Sequence, residues 1–304
     1  MKRLLICGSN GLVGQHLAIL SAGNTEYETL NTSLNRTFVF DDRLYDYTQL
    51  DLTHKSDVKS LISSFHPDVV INAAGAADPD WCEQNREDAW KINFNAVESL
   101  VEVCRKINAK LLHISTDYVF DGKSQRPYVE TDKPNPVNFY GRSKLAAENA
   151  IVTSGISYTI FRSSLIYGIL RGTKKNYATK VIDALRHGRQ FECAVDMFGS
   201  PVYVKDLANV ILSCLDEKIG GLFHIGGGAV ISRMEFALQV ARVFDLNVSL
   251  LRSVKSDELP YIAQRPKITG FSIAKAQLEL NFKPTETTQA LLCMKQAMEI
   301  GKWN

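Results

Sequence analysis

The chain lacks what would tie it to an oxidising compartment, a nucleic acid or a membrane. Its six cysteines (Cys7, Cys82, Cys104, Cys193, Cys214, Cys293) are widely spaced, form no CxxC pair and lie mostly among apolar residues. They read as reduced, buried thiols of a cytoplasmic protein rather than as disulfide partners or metal ligands. Blocks of one charge are also missing: 35 Lys and Arg face 33 Asp and Glu, for a formal net charge of +2. The basic footprint of a DNA- or RNA-binding surface is therefore absent. No apolar run approaches the roughly 18 residues of a membrane span, and GSNG interrupts the opening MKRLLIC too soon for a secretion signal. No two of the six histidines sit at ligand spacing on one helix, so no metal site is expected. Sequence repeats and low-complexity linkers are lacking too. What remains is an ordinary globular composition, 304 residues with 45% hydrophobic and 22% charged, enough for one or two domains around a sizeable core.

Leu4 to Cys7 is a short apolar run that ends in Gly8-Ser9-Asn10-Gly11, after which Leu12, Val13, Leu17 and Leu20 recur near helical spacing. That is a strand, a glycine turn and a helix. The unit returns at 66–75, with a strand over Val69 to Ile71, and at 109–120, with a strand over Leu111 to Ile114. Between them Ala96, Leu100, Val103, Cys104 and Ile107 share one helical face, and 157–168 holds a further apolar run. Strands alternating with helices predict an α/β fold with a doubly wound parallel sheet of Rossmann type, because parallel neighbours need long crossovers and helices supply them. The last third has a different texture: glycine-punctuated GGLFHIGGGAVIS, a helix in SRMEFALQVARVF, then the polar, loop-rich RSVKSDELPYIAQRPK.

Gly8, Gly11 and Gly14 have GxxGxxG spacing between strand and helix. Such glycines allow a sharp turn, close approach of a pyrophosphate and tight helix–strand packing, with the phosphates at the positive helix end. An ordinary strand–helix turn is the competing reading of this motif alone. The second strand is expected to end near Tyr27 to Asn31, where an acid would bond the adenosine ribose diol; Asn31 stands there instead, with Arg36 close behind. A missing carboxylate and a nearby guanidinium favour NADPH, with NADH as the alternative.

In NFYGRSK, Tyr140 and Lys144 are four residues apart on an expected helix and so share one face. The strand before them ends in Ser115-Thr116-Asp117-Tyr118, at the carboxyl edge where open α/β sheets bind ligands. Reducing a ketone by hydride leaves an alkoxide that must be protonated, and a phenol with pKa near 10 is sluggish at neutral pH. A lysine ammonium about 4 Å away is expected to favour the phenolate by up to roughly 4 kcal/mol and bring Tyr140 close to pH 7. Thr116 would hold the carbonyl oxygen as a neutral donor.

Together these motifs resemble the extended short-chain dehydrogenase/reductase superfamily. Within it, STDYVFDG (115–122), PxNxYGxSKLAxE (136–148), FGSP (198–201) and QRP followed by FSIAK (264–275) look like the dTDP-4-dehydrorhamnose reductase family. The resemblance implies Thr116, Tyr140 and Lys144 as the catalytic trio. It places Gly8, Asn10, Gly11, Leu12, Val13, Gly14, Asp51, Leu52, Ala73, Ala74 and Gly75 around the cofactor, with Asn31 and Arg36 added from the strand-end reading. Asp117, Tyr118, Asn176 and Arg265 are implied toward a nucleotide-sugar substrate. It also implies an NAD(P)-binding domain over 1–163 and roughly 200–228, with a smaller substrate-binding domain over roughly 164–199 and 229–304. A homodimer is left open. One departure stands out: the family usually shows RTSWVYG where this chain has Arg162 to Gly168 with Leu165 in place of the aromatic.

Two other functions share these motifs. Nucleotide-sugar dehydratases and epimerases use the same cofactor, but dehydratases carry an Asp-Glu pair after the threonine where this chain has Asp117-Tyr118. The regulatory β subunit of methionine adenosyltransferase keeps the Tyr-x-x-x-Lys pair and is not an enzyme. Among single residues, His113 reads as a satisfied core imidazole rather than a base, Asn93 as structural, and Asn72 as a cap or turn residue. Trp81 reads as a lid or packing aromatic. Arg171, Lys174 and Lys175 read equally as a solvated loop or as a steer for a diphosphate.

Overall fold

Seven parallel strands form the central layer: β1 (Lys2–Cys7), β2 (Tyr27–Ser33), β3 (Asp46–Gln49), β4 (Val69–Asn72), β5 (Lys110–Thr116), β6 (Tyr158–Ser163) and, after the short strands β7 (Ile166–Tyr167), β8 (Phe191–Ala194), β9 (Phe198–Gly199) and β10 (Val202–Tyr203), β11 (Gly221–Ile225). The structure, a computed structural model, describes residues 1–40 and 45–299. Strand order across the sheet is β11-β6-β5-β4-β1-β2-β3. The winding direction reverses between β1 and β4, which opens a crevice at their carboxyl ends.

Period-2 alternation sends each strand's residues to two cores. Leu4, Ile6, Val69, Ile71, Leu112 and Phe161 pack on one face; α1 (Leu12–Ala22) and α8 (Val204–Ser213) lie against each other and contribute Leu17, Leu207 and Ile211 to this core. Leu5, Val70, Leu111 and Ile160 pack on the other, where α2 (Lys55–Phe65) and α5 (Ala96–Ile107) add Val58, Ile62, Val97, Leu100 and Cys104, and α6 (Phe139–Val152) adds Ala147 and Ile151. α3 (Pro79–Gln84) and α4 (Arg86–Trp90) lead into a π-turn at Lys91–Asn95 that continues as α5. A third core gathers residues from 167 onward: Tyr167, Val181 and Leu185 with α7 (Tyr177–Arg186), Phe236 and Val240 of α9 (Arg233–Val243), and Leu291 of α11 (Thr287–Glu299).

Two expectations are corrected here. The loop-rich region after α9 contains a strand, β13 (Leu251–Val254), which follows β12 (Ile231–Ser232) and pairs in parallel with β8. Only its two end residues face the core while Arg252 and Ser253 are exposed, too short a pattern to stand out in sequence. Part of 229–304 also leaves the smaller unit: Phe271, Ile273, Phe282 and Ala276 of α10 (Ala274–Leu280) return to the core on the sheet. Residues 300–304 of that assignment lie outside the described residues. Among the described residues no helix is long and apolar enough to cross a membrane.

Candidate active site

The glycine turn closes β1 where the crevice begins. A Cβ on Gly8 would meet the Ala74 amide nitrogen at 2.7 Å, and one on Gly14 would meet the Gly8 carbonyl oxygen at 2.2 Å, so both positions require glycine for close packing. Gly8 also has φ of 81°, the left-handed region. α1 starts at Gly11 with no side-chain cap and no acid in its first turn. The N–H groups of Leu12, Val13 and Gly14 therefore have no helical partner and face the positive helix end, an arrangement suited to a phosphate.

The Asn10 side chain is engaged by the loop after β2. Its Nδ2 donates to Ser33 Oγ (2.9 Å) and the Thr37 carbonyl (3.0 Å), and its Oδ1 accepts from the Val39 N–H (3.2 Å), which ties the loop after β2 to the turn. Asn31 is a correction. β2 continues to Ser33, so Asn31 is interior, 1% exposed, with Nδ2 donating to the Asp46 carbonyl of β3 at 3.2 Å. The strand-end position falls to Ser33, followed by an exposed bend that includes Arg36. Asp51 accepts from the N–H and hydroxyl of Thr53 (2.9 and 2.7 Å), and Leu52 packs against the second core. After β4, Ala73 N–H donates to the Cys7 carbonyl at 3.0 Å, Ala74 N–H to Asn72 Oδ1 at 3.1 Å, and Gly75 lies against Asn93.

Asn138 caps α6 by accepting from the Gly141 N–H (2.8 Å), while its Nδ2 donates to the Gln264 carbonyl (2.8 Å). Gly141 packs so tightly on the 3-10 turn Asp117–Val119 that a Cβ would sit 2.1 Å from the Tyr118 carbonyl oxygen. This contact sets Tyr140 beside the end of β5: its ring meets Tyr118 edge-on at 5.8 Å, and its phenol lies near enough to Thr116 for that hydroxyl to act on its pKa. Asn93 binds both backbone groups of Ala76 (2.8 and 3.1 Å) and donates to Ser143 (3.0 Å), pinning the cofactor-side loop to α6.

The expected lysine effect on the phenol is not what the structure shows. Burial raises the Tyr140 pKa well above its ordinary value; the Thr116 hydrogen bond opposes this, while Asp117, Cys82 and Tyr118 add to it. Lys144 instead donates to the Ile114 carbonyl (2.7 Å) and lies 3.1 Å from His113 Nε2. Burial, only partly offset by Glu148 and Cys82, lowers Lys144 to about 8. A half-buried phenol and a lysine bound to the strand follow from desolvation outweighing the pair interaction.

On the substrate side Asp117 is a hub rather than a free contact. It is 3% exposed, and its oxygens accept from Thr116 (3.1 Å), Ser164 (2.8 Å) and Thr269 (2.6 Å), joining three distant segments. Asn176 is likewise engaged, capping α7 through Thr179 N–H (3.2 Å) and donating to the Gly168 carbonyl (2.6 Å). Arg265 is anchored by Asp80 at 2.7 Å and lies over Tyr261 at 4.7 Å, leaving Nη1 buried without a partner. The sequence reading missed Arg233. It lies over the Tyr177 ring at 5.4 Å, its positive charge acts on Asp117, Tyr118 and Tyr261, and its Nη1 too is buried and unpartnered. The available signal was its position: Ser232 and Glu235 form a capping box, so Arg233 opens a helix, where a cation opposes the dipole. Leu165, at the position of the missing aromatic, has φ of 42° and packs against the third core. Of the basic loop, Lys175 pairs with Asp183 at 2.9 Å, and the Arg171 carbonyl accepts from Gln15 at 2.8 Å, bringing that loop to the start of α1.

Comparison with known proteins adds to this geometry. A family model described as "RmlD substrate binding domain" matches residues 1–300. A dTDP-4-dehydrorhamnose reductase of Aggregatibacter actinomycetemcomitans is 31% identical over 302 residues, 96% of this chain and 97% of its own length. The crystal structure of dTDP-4-dehydrorhamnose reductase from Bacillus anthracis in complex with NADP is similar with a TM-score of 0.83 at 27% identity, covering 97% of this chain and 99% of that one. The methionine adenosyltransferase 2 subunit beta of Mus musculus is 29% identical over 283 residues, 91% of this chain and 82% of its own length.

Proposed function

The chain belongs to the RmlD substrate binding domain family, and on that premise we propose that it reduces the 4-keto group of a nucleotide-linked deoxysugar with NADPH. The observation that carries this reading is that α6, which bears Tyr140 and Lys144 one turn apart, packs on the turn that Thr116 caps at the carboxyl end of β5, beside the switch-point crevice. The residues present fit a dinucleotide: a glycine turn packed on Ala73–Ala74 and an uncapped helix start would hold its phosphates. Arg36 in the bend after β2 would meet a 2′-phosphate.

When bound, the reduced nicotinamide supplies the hydride. Tyr140, kept protonated by burial, donates its phenol proton to the oxygen that becomes the alcohol. For reduction a high phenol pKa is the right state, since the alkoxide it protonates is more basic still. Thr116 lies beside the phenol, and Lys144 would hold the bound cofactor's ribose from the same turn of α6. Arg233 and Arg265, each with a buried free N–H, suit an anionic group such as the substrate diphosphate. α9, packed in the third core, would then bring Arg233 toward Asp117 and Tyr118 at the end of β5.

The test is to mix purified protein with NADPH and a panel of nucleotide-linked 4-keto sugars, dTDP-4-dehydrorhamnose first. Oxidation of the cofactor with a member of the panel is the expected result. Tight NADPH binding without turnover on any of them would favour a regulatory role, as in the methionine adenosyltransferase β relative. Weaker binding of NADPH than NADH would overturn the cofactor preference.

A further inference from the structure

His113 is a fully buried titratable group that the reaction above does not use. Its Nδ1 lies 3.2 Å from Asn72 Nδ2 and its Nε2 lies 3.1 Å from Lys144 Nζ. The orientation of Asn72 is fixed by its other amide atom, because Oδ1 accepts from the Ala74 N–H at 3.1 Å. Turned over, the amide would set its NH2 against that N–H.

Counting hydrogens along this chain of contacts links the lysine's charge to the asparagine. His113 is neutral, held well below its ordinary pKa by burial and by Lys144, so it carries one N–H. With Asn72 donating to Nδ1, that hydrogen sits on Nε2 and points at Lys144. An ammonium has three donors and no acceptor, so the two would oppose each other. A free amine instead accepts from Nε2–H and still donates to Ile114. With the ammonium, the chain closes only if His113 carries its hydrogen on Nδ1 and Asn72 turns over to accept it, which releases the Ala74 N–H.

We propose that Asn72 and His113 form a neutral tautomer switch coupling the charge on Lys144 to the Ala73–Ala74 loop, with His113 a positioning residue that acts through the lysine. One proton leaves Lys144 when it becomes the amine; His113 keeps one hydrogen throughout and changes only the nitrogen that bears it. Because Gly8 packs on the same loop, the switch reaches the dinucleotide edge. Few other titratable groups surround Lys144 and its neighbour Tyr140. α6 itself supplies Glu148, which favours the ammonium; α3 supplies Cys82, whose thiol is pushed up to about 11 mainly by burial; the turn after β5 supplies Asp117, held by three hydroxyls. Arg162 of β6 is engaged by Glu148, with His224 of β11 behind it, and β4 contributes only the uncharged Asn72.

The test uses the full chain without cofactor or substrate, labelled with 15N-histidine and 13C-lysine, over about pH 6.5 to 9.5, which spans the lowered lysine midpoint. His113 is identified by the signals lost in His113→Gln. The expected result is hydrogen on Nδ1 at the acid end and on Nε2 at the alkaline end, with no imidazolium. The exchange should follow the Lys144 13Cε titration, and the Ala74 amide shift should move with it. One tautomer across the whole range, or an imidazolium, would overturn the switch. Asn72→Asp gives a second readout, since a carboxylate locks hydrogen on Nδ1; the proton affinity of Lys144 should rise about tenfold or more, and the basic limb of kcat should move with it. An unchanged lysine midpoint in that variant would also overturn the proposal. If the variant does not fold, the wild-type titration decides. No step of the NMR test needs a substrate, so its failure and a failure of the keto-sugar panel are separate results.

Discussion

The inner face of α6 meets two buried cations one helical turn apart, and they are held in opposite ways. Glu148 faces Arg162 through three contacts of 2.6, 3.0 and 3.2 Å; Ser115 donates to the same carboxylate at 2.5 Å, and His224 lies 3.5 Å from the guanidinium. Both side chains are under 5% exposed, and each charge has its counter-charge. Lys144, equally buried, touches only a carbonyl and a neutral imidazole. The first site fastens α6 to the sheet. The second leaves a desolvated charge whose proton is loosely held, which is the state a working lysine needs and a structural one does not.

Breaking each site should separate the two roles. Glu148→Ala strands the Arg162 guanidinium in the interior and is expected to destabilise the fold by about 3 to 5 kcal/mol in urea denaturation. Lys144→Met removes a buried cation that has no counter-ion in contact and, measured at pH 7, should shift stability by no more than about 1 kcal/mol. Equal losses in the two variants would erase the distinction. The pH dependence follows with the next largest effect. Folded Lys144 releases its proton at about 8, against 10.5 for an ordinary lysine. Between those values the unfolded chain binds the extra proton, so stability rises with pH across that window, by up to about 3 kcal/mol. Below pH 8 both states are protonated and the slope vanishes. The rise is read as the difference between wild type and Lys144→Met, in which it should disappear.

How far this contrast was legible in sequence depends on where each partner lies. The glycine turn, the strands β1, β4 and β5, and α5 announce themselves through local period and turn chemistry, and the structure places them as read; Tyr140 and Lys144 stand on one helix, as their spacing implies. Asn31 was misplaced because β2 runs two residues past the expected end, and only its bond to β3 shows that it is interior. Asp117 and Asn176 were read as facing substrate, and the structure adds bonds within the fold for both side chains. Asp117 accepts from Thr269, 152 residues away, a contact no local pattern can signal. Lys144 was read as the phenol's partner because helical spacing puts both on one face; what spacing omits is the strand beneath, whose Ile114 carbonyl accepts from Lys144 and whose His113 ring lies beside it.

Tyr140→Phe probes the working side of α6 without touching the ion pair. Loss of the phenol proton should lower turnover by on the order of a hundredfold or more, while NADPH affinity stays within a few-fold, measured by steady-state kinetics and direct binding. Thermal stability should change little, because the variant keeps the ring that meets Tyr118 at 5.8 Å. Unchanged turnover would remove Tyr140 from the chemistry and leave α6 with one role only.

The same distinction between anchored and unanchored cations recurs across the crevice, with a smaller expected effect. Arg265 is fixed by Asp80 at 2.7 Å, whereas Arg233 has no carboxylate at bonding distance among the described residues and rests on the Tyr177 ring. An arginine held by an aromatic face keeps its N–H groups for a ligand. Arg233→Gln should therefore raise KM for the nucleotide sugar about tenfold, the scale of one charge-assisted hydrogen bond, with kcat and NADPH affinity near wild type. A fall in kcat at constant KM would instead place Arg233 with the buried hub around Asp117, acting on the catalytic edge through Thr116.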